Sequence, residues 1–152
     1  MSRTWKLKAF EDLTVGELYE ILRLRAEIFV VEQDCVYQDL DGKDRQSMHL
    51  FLQDGEEVIA CLRIIPAGIS YKEPSIGRFV VKESERKSGL GREAMNQAIE
   101  YISSEYKEDH IRISGQAYLR EFYESLGFKV VKDPYLEDGI PHFQMLRGRV
   151  FK

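Results

Sequence analysis

The sequence predicts a single α/β domain built around a mixed sheet. Its 152 residues are most simply one domain, residues 1–152, which is long enough to bury about two thirds of the surface that the unfolded chain exposes. The 43% hydrophobic and 32% charged residues are typical of a globular protein. Segments with the apolar period of a strand alternate with segments that have the period of a helix. This order requires at least one parallel crossover within the sheet.

A strand, a helix and a loop are predicted in the first third of the chain. Residues 4–10 alternate apolar and polar side chains, which indicates a strand. Thr14 and Glu17 form a capping-box signature for a helix that ends near residues 29–33. The inward face of this predicted helix consists of Val15, Leu18, Leu22, either Arg25 or Ala26, and Phe29. Residues 32–46 are rich in Asp and lack periodicity, so they predict a loop or a short helical turn.

The middle of the chain predicts three strands and a second helix. Residues 48–53 and 56–65 have strand patterns, and Asp54-Gly55 between them suits a hairpin because this dipeptide accepts positive φ. Residues 75–81 are predicted to form the next strand. The long helix that follows has a regular apolar face made of Ala94, Met95, Ala98 and Ile102.

A strand, a short helix and two strands complete the predicted order. Residues 110–114 indicate a strand, and residues 119–126 indicate a helix. Gly127 can close that helix in the left-handed conformation. Residues 128–131 and 141–151 are predicted to be the last two strands.

Charge and composition argue against several classes of partner. The 26 acidic and 22 basic residues give a formal net charge of -4, so nucleic acid is not expected to bind. No stretch reaches the ~18 uncharged residues of a membrane span, and the first residues do not resemble a secretory leader. We therefore expect a cytoplasmic protein without a membrane partner. Cys35, Cys61 and the three histidines show no metal-ligand spacing, which predicts free thiols and no metal site.

A glycine turn at the start of the second long helix predicts an anion site. The first backbone N–H groups of a helix lack partners, and Gly89 and Gly91 have no Cβ to keep an anion away from them. Arg86, Lys87 and Arg92 can add charge-assisted hydrogen bonds. The pattern lacks GxxxxGK[ST] and GxGxxG, so neither ATP nor NAD is indicated. An ordinary turn with solvated charges is the alternative interpretation.

The order of three motifs adds a family resemblance. "RKSGLG" follows the strand "IGRFVV", and "AYLREFYESLGF" comes about thirty residues later. Together these segments resemble the GNAT acetyltransferase superfamily, and "LRAEIFVVEQ", "YQDLDGKD", "GQAYLREFY" and "YLEDGIPH" are similar to its ElaA-like branch. The resemblance implies a three-layer α/β (α+β) fold, in which helices flank a mixed, mostly antiparallel central sheet. It also implies acetyl-CoA as the acyl-donor cosubstrate, and relatives often form homodimers.

The resemblance assigns a set of cofactor-binding residues. It implies that the pyrophosphate of coenzyme A lies on the turn made of Arg86, Lys87, Gly89, Leu90, Gly91 and Arg92. The backbones of Phe79, Val80 and Val81 would pair with the pantetheine arm, on a strand that this superfamily usually bulges. Gln116 stands where many relatives have Asn, and it is a further candidate for contact with the cofactor.

Three side chains are candidates for the chemistry of amine acylation. The resemblance implies that Tyr123 gives a proton to the departing thiolate of coenzyme A, whereas helical spacing alone would make it a core residue. An ammonium must lose a proton before it can attack, and His142 and Glu32 are the candidate bases. Deprotonation through water without a single base is an open alternative.

The acceptor can be predicted only by charge. Two groups of acids would attract a cationic amine, or they would simply form a solvated acidic surface. They are Glu32, Asp34, Asp39, Asp41 and Asp44 in one connection, and Glu137 and Asp138 before His142. The sequence therefore predicts an N-acetyltransferase that acts on a primary amine of a small molecule or peptide. The alternative is a non-catalytic module that binds acyl-CoA as a sensor or interaction partner.

Overall fold

The computed structural model describes residues 3–148 as eight strands and three helices. The strands are β1 (Arg3–Ala9), β2 (Met48–Asp54), β3 (Glu57–Ile65), β4 (Ser75–Val81), β5 (Ile111–Gln116), β6 (Phe128–Val130), β7 (Tyr135–Glu137) and β8 (Ile140–Arg147). The helices are α1 (Val15–Arg25), α2 (Leu90–Glu105) and α3 (Arg120–Glu124), and a π-helical segment, Ala26–Glu32, continues α1. The end of the last predicted strand, residues 149–151, lies outside the described residues.

Two antiparallel sheets make up the centre of the molecule. One has the order β1-β2-β3-β4, and the other has the order β5-β8-β6, with β7 added beside β8. Between the sheets, the Arg112 amide of β5 donates a hydrogen bond to the Pro74 carbonyl at 3.1 Å. The predicted crossover from β4 through α2 to β5 therefore brings two strand starts together, but no ladder joins these two strands within residues 3–148. The predicted α/β (α+β) fold, with helices flanking a mostly antiparallel sheet, is confirmed, and every ladder within residues 3–148 is antiparallel.

Helix α2 packs on the sheets with the face that its sequence predicts. Ala94, Met95, Ala98 and Ile102 are all buried, in one core cluster with residues of both sheets such as Ile64. Small side chains alternate with larger ones on this face, so the helix can lie close to the strands. Because the core fixes the position of α2, it also fixes its first turn, where the predicted anion site lies.

Helix α1 buries a different face from the one predicted. Val15 is 88% exposed, whereas Ile21, Leu24 and Ile28 are core residues. Glu17 and Arg25 share the buried side. Their charges are matched by partners from other elements, and for this reason the periodicity of apolar residues alone pointed to the wrong face.

A short hairpin in the C-terminal part was missed by the sequence analysis. β7 and β8 are joined by Asp138 and Gly139, with φ of 52° and 77°. Positive φ at both central residues is typical of a tight hairpin turn, for which Asp-Gly is a favoured dipeptide. The hairpin includes Glu137 and places His142 opposite Tyr135.

Among the described residues, no helix is both long and apolar enough to cross a bilayer.

Candidate active site

A cleft of about 530 Å³ opens where β4 and β5 separate. Twelve of the thirteen predicted site residues line this cleft. These are Phe79, Val80, Val81, Arg86, Lys87, Gly89, Leu90, Gly91, Arg92, Gln116, Tyr123 and His142. Glu32 is the predicted residue that the lining omits. Residues from distant parts of the chain thus meet in one concave site, as expected of a small-molecule site.

The glycine turn lies at one end of the cleft lining and starts α2. Gly89 is the N-cap, with φ of 86°, a conformation that residues with a Cβ rarely adopt. A Cβ on Gly91 would lie 3.0 Å from Cζ of Phe79, so this position is packed against the end of β4. The helix has 16 residues, and the positive end of its dipole lies at the cleft. Lys87 and Arg92 line the cleft beside it. The turn thus combines free N–H donors with cations, the donor set that suits a phosphate.

Arg86 joins this turn to the end of the π-helical segment. Its guanidinium binds both carboxylate oxygens of Glu32, at 2.7 and 3.0 Å, and its Nε donates to the Val81 carbonyl at 3.0 Å. The hydrogen bonds to Glu32 raise the pKa of Arg86. The carboxylate predicted as a base is therefore engaged with a permanent cation.

Gln116 is also tied to this segment. Its amide nitrogen donates to the Gln33 side-chain oxygen at 3.2 Å, and the Gln33 nitrogen donates in return at 3.0 Å. The pair crosses from the end of β5 to the residue that follows the π-helical segment. The adjacent residues Glu32 and Gln33 therefore bind the glycine turn and the end of β5, respectively.

Strand β4 has the bulge that the resemblance predicts. The register pairs Val80 with Cys61 and Gly77 with Arg63, so that Arg78 and Phe79 together lie opposite Leu62. Arg78 has a φ of 47°, in the left-handed region. A bulge leaves backbone groups outside the ladder and bends the strand. Here it falls in the part of β4 that lines the cleft.

Tyr123 is almost fully buried at the wall of the cleft. It is 7% exposed, and its ring contacts Phe122 and Phe128 edge-on, with centroids 5.5 and 6.0 Å away. Its hydroxyl makes no hydrogen bond with any residue in the range 3–148. Burial raises the pKa of this phenol well above its ordinary value. The group is thus a protonated donor without a protein acceptor in that range.

His142 has one ring nitrogen with a free lone pair. Nδ1 lies 2.7 Å from the Ile140 carbonyl, which can only accept, so Nδ1 carries the proton of the neutral ring. Nε2 then bears the lone pair, 3.6 Å from Oε2 of Glu137. The ring also stacks on Tyr135, with centroids 6.1 Å apart. Glu137 is thus the carboxylate beside the free nitrogen, a neighbour that the sequence did not predict.

Three acids of the loop after α1 are not free to attract an amine. Three arginines on α1, β3 and β4 bind them at 2.6 to 3.5 Å. The acids are Asp39, Asp41 and Asp44, and the arginines are Arg25, Arg63 and Arg78. The prediction that these three acids draw a cation is wrong, because arginines of the same chain neutralise their charge. Glu137 and Asp138 line the cleft without a Lys or Arg partner among the described residues.

In the part of the chain that the structure describes, His, Cys, Asp and Glu side chains form no group of three that could hold an ion. Cys35 donates its thiol to the Asp138 carbonyl at 3.2 Å, and Cys61 is buried, which raises the pKa of its thiol to about 12. Neither cysteine is therefore a ready nucleophile.

The fold and the cleft together define the class of an acyltransferase, and comparison with known proteins identifies the family. The model of the acetyltransferase (GNAT) domain matches residues 19–147. The chain belongs to the GNAT acetyltransferase family.

Similar proteins cover almost the whole chain. Protein ElaA of Escherichia coli is 36% identical over 145 residues, which are 94% of this chain and 95% of ElaA. The crystal structure of Escherichia coli ElaA has a TM-score of 0.89 at 34% identity, covering 96% of this chain and 99% of that one. An acyl-CoA N-acyltransferase from Pseudomonas aeruginosa has a TM-score of 0.91 at 38% identity, covering 97% and 100% of the two chains. This chain is thus similar to ElaA over nearly its full length.

Proposed function

We propose that this protein is an N-acetyltransferase that moves the acetyl group of acetyl-CoA to a primary amine by direct attack. The observation that carries the proposal is the hydroxyl of Tyr123, a buried acid in the same cleft as the glycine turn. Backbone N–H groups that can bind an anion lie in the same site as a protonated phenol. This combination suits an acyl donor that has both a pyrophosphate and a thioester. The similarity to an acyl-CoA N-acyltransferase supports the same interpretation.

The residues of the turn and of β4 fit coenzyme A as the acyl donor. Gly89, Gly91 and the first turn of α2 offer backbone N–H groups, and Lys87 and Arg92 add cations for a pyrophosphate. Along the bulged end of β4, backbone groups of Phe79 to Val81 would hold the pantetheine arm. A backbone N–H there could polarise the thioester carbonyl.

The proton transfers are assigned to two side chains. Nε2 of His142 accepts a proton from the ammonium of the acceptor, and Glu137 stabilises the resulting imidazolium. The amine nitrogen then forms the C–N bond while the C–S bond breaks, and this nitrogen loses its second proton to solvent to give the neutral amide. Tyr123 gives its proton to the departing sulfur, and solvent restores it. Glu32 is the weaker candidate base because Arg86 holds both of its oxygens.

The acceptor is proposed to be the primary amine of a small molecule or peptide. Glu137 and Asp138 provide negative charge on the β7–β8 turn, whereas arginines neutralise Asp39, Asp41 and Asp44. A cationic amine would therefore approach from the side of this turn. A cytoplasmic location and pairing as a homodimer remain predictions from the sequence.

Isothermal calorimetry with acetyl-CoA and coenzyme A tests this proposal. We expect micromolar binding to the intact protein and none to a variant with Gly89→Asp and Gly91→Asp, because the added carboxylates repel a phosphate. Release of free thiol from acetyl-CoA against a panel of primary amines then tests turnover. Binding without thiol release would favour the non-catalytic sensor, and no binding to the intact protein would reject both functions.

A further inference from the structure

Gly115 lies within β5 at a position whose backbone does not require glycine. Its φ is outside the left-handed region, and it is paired in register with Phe143 of β8. Glycine weakens the interior of a strand, and its presence there often marks a site where another group comes close to the backbone. In this protein, the group that comes close is the ring of Tyr123.

The contact leaves no room for a side chain. An ideal Cβ built on Gly115 would lie 2.7 Å from Cε2 of Tyr123 and 3.0 Å from Cδ2. Carbon atoms in contact prefer a separation of about 3.5 to 4.0 Å, so a methyl group would push this edge of the ring away by roughly 1 Å. The neighbouring rings of Phe122 and Phe128 limit where it could move. The ring is thus held between the backbone of β5 and two aromatic side chains.

We propose that Gly115 is a positioning residue: its lack of a side chain sets how closely the Tyr123 ring lies against β5, and hence where the hydroxyl lies in the cleft. This inference rests on the proposed function, in which that hydroxyl gives a proton to the departing thiolate. A reacting group displaced by about 1 Å can lose on the order of 100-fold in rate. Gly115 touches no reacting atom and acts through Tyr123.

The first test is a kinetic double-mutant cycle with Gly115→Ala and Tyr123→Phe. Release of thiol from acetyl-CoA is followed with the fastest amine of the panel, or with water if no amine reacts, since both reactions break the C–S bond. We expect Gly115→Ala to lower kcat by about 10- to 100-fold, with the Kd for coenzyme A nearly unchanged. In the protein that already carries Tyr123→Phe, the same change should cost nothing further. An equal loss in both backgrounds, or no loss, would overturn the inference.

The second test measures the contact itself, without turnover. Gly115→Ala should lower the urea midpoint of unfolding in the protein with Tyr123, and much less in one with Tyr123→Leu, where the ring is gone. Equal drops in the two backgrounds would show that the methyl group does not meet the ring, which overturns the inference. Gly16→Ala is the control, since its Cβ would meet only Thr14 Oγ1 at 4.0 Å, and it should keep the wild-type kcat. If calorimetry finds no coenzyme A binding, the proposed function fails. The unfolding measurements would still show whether Gly115 sets the position of the Tyr123 ring.

Discussion

At the scale of single residues, burial determines what Tyr123 can do. Removing a phenol from water disfavours its charged form, and burial is the largest cause of the raised pKa of Tyr123. A raised pKa means that the proton is kept as the pH rises, beyond the ordinary value near 10. The residue is therefore suited to give a proton at neutral pH and unsuited to act as a base.

Tyr123→Phe tests this role. The change removes the hydroxyl and keeps the ring, so we expect kcat to fall about 100-fold while the Kd for coenzyme A stays near that of the wild type. Because the pKa is raised, the fold-loss should be the same from about pH 7 to about pH 9. Steady-state kinetics over this range, with calorimetry for binding, provide the measurement. Equal turnover of the two proteins would remove Tyr123 from the mechanism.

At the scale of elements, α1 is anchored by a buried carboxylate. Glu17 accepts hydrogen bonds from the Thr14 amide at 2.9 Å and from Lys6 and Lys8 of β1 at 2.9 to 3.1 Å. Burial raises the pKa of Glu17, but these donors outweigh burial and lower the pKa to about 2. The same side chain thus caps the helix and joins it to the edge strand of the first sheet.

Glu17→Gln should make stability depend on pH in a defined direction. A glutamine can still accept from Thr14 but loses the charge that binds the two lysines, so we expect a loss of about 2 kcal/mol at pH 7. A lowered pKa stabilises the fold above the unfolded value near 4.3, and this contribution disappears as the pH falls toward about 2. Urea unfolding at several pH values should therefore show the variant and the wild type converging in acid.

Exposed Glu11 provides the matched control for that experiment. Glu11→Gln removes a charge just before the same helix, and surface changes of this kind usually alter stability by less than about 0.5 kcal/mol. A difference between Glu17→Gln and the wild type that stays constant down to about pH 2 would contradict the assignment of the lowered pKa to Glu17.

How far the sequence predicted each element depended on where its partners lie. The apolar face of α2 and the glycine turn were predicted because both are encoded locally, by spacing and by residue type. The buried face of α1 was not: spacing left Arg25 and Ala26 as alternatives, and Arg25 lies inside because distant acids bind it. His142 was one of two candidate bases, but its partner Glu137 needed the β7–β8 hairpin, whose first strand has only three residues. Alternation cannot be recognised in so short a segment.

At the scale of the whole molecule, a network of buried and partly buried charges joins α1 and the following loop to the first sheet. Asp44 binds Arg25 at 2.8 Å and Arg63 at 3.0 Å, and Asp41 binds Arg63 at 2.6 Å. Arg78, at the bulge of β4, binds Asp39 at 2.8 Å. The network therefore extends to the strand that lines the cleft, so the fold and the site share one set of interactions. Arginine suits this task because its planar group can bind two acids at once.

Asp44→Asn should show how much the Asp44 carboxylate contributes to the free energy of unfolding. Burial raises the pKa of Asp44, but its bonds to Arg25 and Arg63 lower it overall, so Asp44 is charged at neutral pH. Asparagine would leave two buried guanidinium groups short of negative charge, and Arg25 is only 1% exposed. We expect a loss of about 3 to 5 kcal/mol in the free energy of unfolding at pH 7. Because the pKa is lowered, this loss should shrink as the pH falls below about 4, where the carboxylate of the unfolded chain begins to take up protons.

Asp133→Asn is the control. At this exposed position, the change should alter the free energy of unfolding little. A loss for Asp44→Asn no larger than that of the control would mean that solvent, rather than Asp44, balances the buried arginines.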